Sequence, residues 1–197
     1  MCRFIESIKL VDGQFYRLTF HQARVNGIFE HFFATSRPFD LIELLEHENF
    51  PKQGIYKCRI VFDNKIQLIE FVPYIRRETK SLKLVETHIE PTHYKSEKRD
   101  KINEAIAQKG DCDDIIMLNN GFLSDASYSN IALWDGKNWC TPTLPLIYGT
   151  QRASLLASGK IIESSIAKED IPTYKRIRLF NAMIEFGEIE LDCKYIF

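Results

Sequence analysis

Two Asp-Gly pairs, Asp12-Gly13 and Asp135-Gly136, each lie between runs rich in β-branched and aromatic residues. A two-residue turn of this kind accepts the positive φ angles of a tight hairpin, so each pair predicts that its flanking runs are antiparallel strands. A third junction, Asp63-Asn64, joins "GIYKCRIVF" to "KIQLIEFVPY". These junctions commit much of the chain to sheet and restrict helices to the segments between.

Those segments have helical period. From Thr19, a candidate N-cap, residues Phe20, Ala23, Ile28, Phe32 and Phe33 recur near 3.6-residue spacing. "SRPFD" breaks the pattern, and Asp40 opens a second helix, "LIELLEHE". Residues 76–94 read as charged and irregular, and Pro91 marks the crossing into a second half. A helix is predicted over 97–109, ending at Gly110. Beyond it come the strand "DIIML", a turn at Asn119-Asn120-Gly121, the 135–136 hairpin, the helix "GTQRASLLA", and the late strands "RIRLFNAMI" and "EIELDCKYIF". The expected class is α+β in two lobes, a small N-terminal α+β lobe over 1–90 and a strand-rich α+β lobe over 91–197.

Composition narrows function by exclusion. Hydrophobic residues make up 45% of the 197, enough to bury a core, which excludes a disordered chain. Formal net charge is −1 and the basic residues are dispersed, so neither nucleic acid nor an anionic membrane surface has an electrostatic footprint. "LIELL" and "ASLLA" are far too short to span a bilayer. The N-terminus "MCRFIESIKL" carries no apolar leader. Cys2, Cys58, Cys112, Cys140 and Cys193 are scattered without a C-x-x-C pair, which predicts reduced thiols in a cytoplasmic protein, with no disulfide framework and no metal site.

Four stretches carry possible chemistry, each beside a plainer alternative. Arg24 lies three residues from His21 on one helix face; it reads as a two-pronged phosphate ligand or as a surface arginine with a packed stem. Lys95, in "PTHYKSEKRDK", reads as an amine nucleophile kept neutral by burial or as a solvated lysine. Asp125, between a tight turn and a strand, reads as a functional carboxylate or as a turn-capping one. Gly149 and Thr150 open a helix whose N–H groups suit phosphate or water.

In order, these stretches resemble the class IV aminotransferase family, the fold type IV pyridoxal-phosphate enzymes, which include branched-chain and D-amino-acid aminotransferases and aminodeoxychorismate lyase. "FIESIKLVDGQFYRLTFHQARV" is similar to the family's opening strand, turn and His-x-x-Arg helix. "YKSEKRDKINEA" is similar to the segment of the Schiff-base lysine, and "DDIIMLNNGFLSDASYSNIALWDGKNWCTP" to the Glu-x-x-x-x-Asn motif, with Asp125 on the Glu and Asn130 on the Asn. "LIYGTQRASLL" matches the phosphate turn, and "RLFNAMI" the late Asn-Ser strand. The resemblance implies a two-lobed fold with the cofactor in the cleft between lobes. It implies pyridoxal 5'-phosphate joined to Lys95, paired through its ring nitrogen with Asp125, and held at its phosphate by Arg24 and the backbone of Thr150 and Gln151. It also implies a small amino substrate and a homodimer.

There are departures. The sequence opens close to the Glu6-Ser7-Ile8-Lys9 strand, so the family's opening strand is expected to be missing; Asp125 stands for Glu, Thr150 for Ile, and Ala182 for a hydroxyl residue. Lys95-x-x-x-Arg99 is closer to the lyase's Lys-x-x-Asn-Arg pattern, with Lys98 in place of the Asn, so 4-amino-4-deoxychorismate cleavage to 4-aminobenzoate and pyruvate is the leading expectation. An aminotransferase using 2-oxoglutarate is the alternative, and a non-catalytic relative the second. Arg59, Tyr74, Arg76 and Arg77 are candidates for a substrate carboxylate.

Overall fold

The computed structural model describes residues 3–34 and 37–197, so Cys2 of the cysteine set and Ser36 of the "SRPFD" break lie outside the described residues. The chain divides into two compact units. Met1–Ile75 with His93–Lys98 form the first, and Arg76–Thr92 with Arg99–Phe197 the second.

In the first unit, β1 (Phe4–Val11), β2 (Gln14–Phe15), β3 (Ile55–Phe62) and β4 (Ile66–Pro73) make an antiparallel sheet in the order β2-β1-β3-β4. The Asp12-Gly13 turn has φ of 47° and 81°, and Asp63 Oδ1 accepts from Lys65 N–H at the β3–β4 turn. Helices α1 (Leu18–Phe32) and α2 (Leu41–Glu46) pack on one face. There Ile8, Val25, Ile28, Phe29, Leu41 and Ile60 share an apolar core. Asp40 caps α2 by accepting from Ile42 and Glu43 N–H.

α1 departs from its expected pattern. It starts at Leu18, with Arg17 rather than Thr19 at its cap. Its buried stripe is His21, Val25, Ile28 and Phe29, while Ala23 and Phe32 are exposed. A buried histidine leads that stripe, and an apolar periodicity does not count histidine.

The second unit holds two sheets. β5 (Leu82–Thr87), β6 (Asp114–Asn119) and β7 (Phe122–Ala126) form one; β5 and β6 are parallel, β6 and β7 antiparallel. β8 (Asn130–Trp134), β9 (Trp139–Pro142), β10 (Ile162–Ser164), β11 (Arg176–Phe180) and β12 (Ile189–Asp192) form the other, in the order β10-β9-β8-β11-β12. Helices α3 (Asp100–Ile106) and α4 (Thr150–Ala157) belong to this unit.

Two expectations fail here. Residues 82–87, expected to be irregular, are an edge strand: Leu82 and Val85 are buried while Lys83 and Glu86 stay exposed, which masks the pattern with charge. α3 is shorter than 97–109. Residues 95–97 pair with β1, through Ile5 N–H to Lys95 C=O at 2.8 Å and Glu97 N–H to Arg3 C=O at 3.0 Å, and a residue in a ladder cannot be in a helix. Among the described residues no helix is long and apolar enough to cross a membrane.

Candidate active site

The β1 edge organises the polar groups of the first unit. β2 covers it at Leu10 and Val11, and residues 95–97 cover its Phe4 end as a short antiparallel addition. Alternation along β1 sends Glu6 to the helix face and Ser7 to the other. Because Phe4 opposes Ser96, Lys95 shares the face of Ser7. The half-buried Lys95 donates from Nζ to Ser7 Oγ at 3.2 Å. Arg59, opposite Ser7 on β3, is engaged by Glu70 and Glu97.

Glu6 is fully buried, and α1 answers its charge. Arg24 forks onto the carboxylate, Nε to Oε1 and Nη2 to Oε2, each at 2.7 Å. His21 Nδ1 lies 2.5 Å from Oε2. Burial pushes the Glu6 carboxyl up, but the Arg24 guanidinium and the His21 bond outweigh it and bring the pKa down to about 2. Burial lowers His21, which the Glu6 bond opposes; the neutral ring, with Nδ1–H donating, satisfies the pair. A carboxylate taken from water is tolerated only when paired this fully. The fork uses two nitrogens of Arg24 and leaves Nη1 outside it.

The second unit contributes a different cluster. Asp125, on β7, is 4% exposed and accepts from Asn130 Nδ2 at 2.8 Å and from Ile147 N–H at 2.9 Å. Among the described residues it has no ion pair. Burial is the largest influence on it and pushes its pKa up to about 7, despite those donors. Asn130, at the start of β8, also donates to Ile147 C=O at 2.8 Å. Its Oδ1 occupies the space where a Cβ on Gly149 would sit, so only glycine lets α4 begin there. Thr150 and Gln151 follow, both buried, in a first turn with no acidic residue and no side-chain cap from Gly149. Gln151 donates to Glu185 at 3.1 Å, and its Oε1 is buried without a partner.

The predicted site residues therefore fall into two sets. Arg24 and Lys95 stand beside successive residues of β1, while Asn130 meets both Asp125 and Gly149, the residue before Thr150 and Gln151. Sequence reasoning missed three supports, Glu6, Ser7 and Asn130 in its linking role. Glu6 and Ser7 lay in the quoted opening strand and Asn130 on the family's Asn, but none carries a signal of its partner.

The family model "Amino-transferase class IV" matches residues 74–190. An uncharacterized protein of Haemophilus influenzae is 31% identical over 185 residues, 93% of this chain and 98% of that one. The crystal structure of a candidate 4-amino-4-deoxychorismate lyase from Haemophilus somnus superposes with a TM-score of 0.86 at 31% identity, covering 93% of this chain and 97% of that one. A candidate amino-acid aminotransferase from Mesorhizobium loti has the same fold, with a TM-score of 0.84 at 20% identity over the whole of both chains (100% each).

Proposed function

Because the chain belongs to the class IV aminotransferase family and is an enzyme of that class, we propose that it is a pyridoxal-phosphate-dependent lyase that converts 4-amino-4-deoxychorismate to 4-aminobenzoate and pyruvate. The observation that carries the cofactor reading is Asp125, a buried acid without an ion pair, tied by Asn130 to the first turn of α4. A cationic ring nitrogen suits the acid, and a phosphate suits the N-terminal end of the helix that Thr150 opens. The residues present fit the group. The lyase reading is supported by the 31% identical structure and by the Lys95-x-x-x-Arg99 spacing.

Bound in this way, the cofactor supplies an electron sink for charge developing on the substrate carbon. Lys95 would be the residue to hold the cofactor covalently, and its free amine would move a proton at Nζ. Ser7 Oγ orients that amine by accepting from it. Asp125 would hold the ring nitrogen positive, and Arg24 and the backbone of Thr150 and Gln151 would be the groups to hold the phosphate. Glu6 and His21 fix the Arg24 plane, so the fork does not have to be ordered on binding. Family habit supports a homodimer with a small amino substrate, and the free thiols of Cys58, Cys112, Cys140 and Cys193 support a cytoplasmic enzyme.

Borohydride reduction of the protein loaded with pyridoxal phosphate, followed by peptide mass spectrometry, is expected to find the pyridoxyl group on Lys95. Equal yield in Lys95→Ala rejects the assignment. Release of pyruvate from 4-amino-4-deoxychorismate is expected; amino-group transfer from amino acids to 2-oxoglutarate without pyruvate release makes the enzyme an aminotransferase instead.

A further inference from the structure

The loop between Asp125 and Asn130 turns one side chain outward. Tyr128 is 52% exposed, although Asp125 and Asn130 on either side of it are buried. Two guanidinium groups stand over its ring, Arg99 Cζ at 4.6 Å and Arg77 Cζ at 5.6 Å from the centroid. Arg99 is half-buried and anchored by Nη2–H donating to Ser127 C=O at 2.8 Å, which leaves Nε and Nη1 uncommitted. Asn181 Nδ2 holds the other side of the loop by donating to Tyr128 C=O at 2.9 Å.

The charge on this patch is unbalanced in a way the other stacks of the second unit are not. Arg178, over Trp139 and Phe186, has Glu190 at 2.7 Å; Arg152, over Tyr148, has Glu163 at 2.7 Å; Lys194, over Tyr195, has Asp192 at 3.5 Å. Among the described residues neither Arg77 nor Arg99 makes an ion pair. Asp114 is the acid that influences both, from beyond ion-pair distance, and burial pushes its own pKa up. Burial also lowers Arg99, because desolvation disfavours a charge without a counterion. Two cations are thus held beside an aromatic face with no anion to meet them.

We propose that Arg77, Arg99 and Tyr128 form a subsite for a carboxylate carried on a planar unsaturated ring. The guanidinium N–H groups present a fork that matches a carboxylate, and the exposed part of the Tyr128 ring beside them offers an aromatic contact to the ligand's ring. Identifying this ligand with the lyase substrate and its aromatic product rests on the function proposed above. The subsite itself rests only on the second unit's geometry.

The test measures binding of 4-aminobenzoate by calorimetry, together with KM and kcat for 4-amino-4-deoxychorismate. Arg77→Gln, at an exposed position where the fold is expected to tolerate it, and the conservative Arg99→Lys are the variants. Each is expected to raise KM and the 4-aminobenzoate Kd by about tenfold or more, the effect of one charge-assisted hydrogen bond. kcat and the bound cofactor's visible spectrum are expected to stay unchanged. Wild-type Kd in both variants overturns the subsite and leaves the lyase reading intact. If the wild type releases no pyruvate the lyase reading fails, and the subsite is then decided by 4-aminobenzoate alone. Binding that the variants lose supports it, and no binding overturns it.

Discussion

At the scale of single residues, Gly149 and Asn130 decide where α4 begins. Asn130 is held by Asp125 and by Ile147 C=O, so its Oδ1 has little freedom to retreat from a new methyl group. Gly149→Ala is therefore expected to destabilise the protein by about 1–3 kcal/mol, the usual cost of forcing an atom into a packed site. Urea denaturation measures it, and a loss within error of zero contradicts the close approach. The sequence marked Gly149 and Asp125 as candidates. It carried no sign that one asparagine joins them, because Asn130 and Gly149 meet only after β7 and β8 are in place.

At the scale of elements, the segment holding Lys95 is the informative one. Its local pattern is helical and its charge dense, yet residues 95–97 add to the open edge of β1. Strand addition here stands on two backbone bonds, and Glu97→Pro removes one donor. That variant is expected to keep its fold, lose about 1 kcal/mol of stability, and lower the borohydride-trapped yield on Lys95 severalfold. Unchanged yield would show that the pairing does not position the amine. The hairpins about Asp12-Gly13 and Asp135-Gly136 were legible because a turn's φ requirement is local. β5 was not, because an edge strand of a parallel pair draws its partner, β6, from across α3.

At the scale of the whole molecule, two buried carboxylates set opposite pH dependences. Glu6 is depressed from 4.5 to about 2, so its stabilisation is present above pH 4.5 and is lost as pH falls toward 2. Asp125 is raised from 3.8 to about 7, so the folded protein favours its protonated form, and that contribution is lost as pH rises from 3.8 through 7. His21, lowered by burial, works against Asp125 over part of that range, so a difference measurement separates them. Without cofactor, the melting temperature of the wild type relative to Asp125→Asn is expected to decline from pH 5 to pH 8. A flat difference contradicts a buried ionisable Asp125. By itself the sequence determined the α+β class, the tight hairpins and the order of motifs along the chain, because turn chemistry and alternation act between neighbours. Tertiary structure alone decided that His21 is core, that Arg24 is already bound to Glu6, and that Lys95 lies beside Ser7. Each is a meeting of residues distant in the chain, and pairing of buried charge depends on which groups meet, not on where they stand in order.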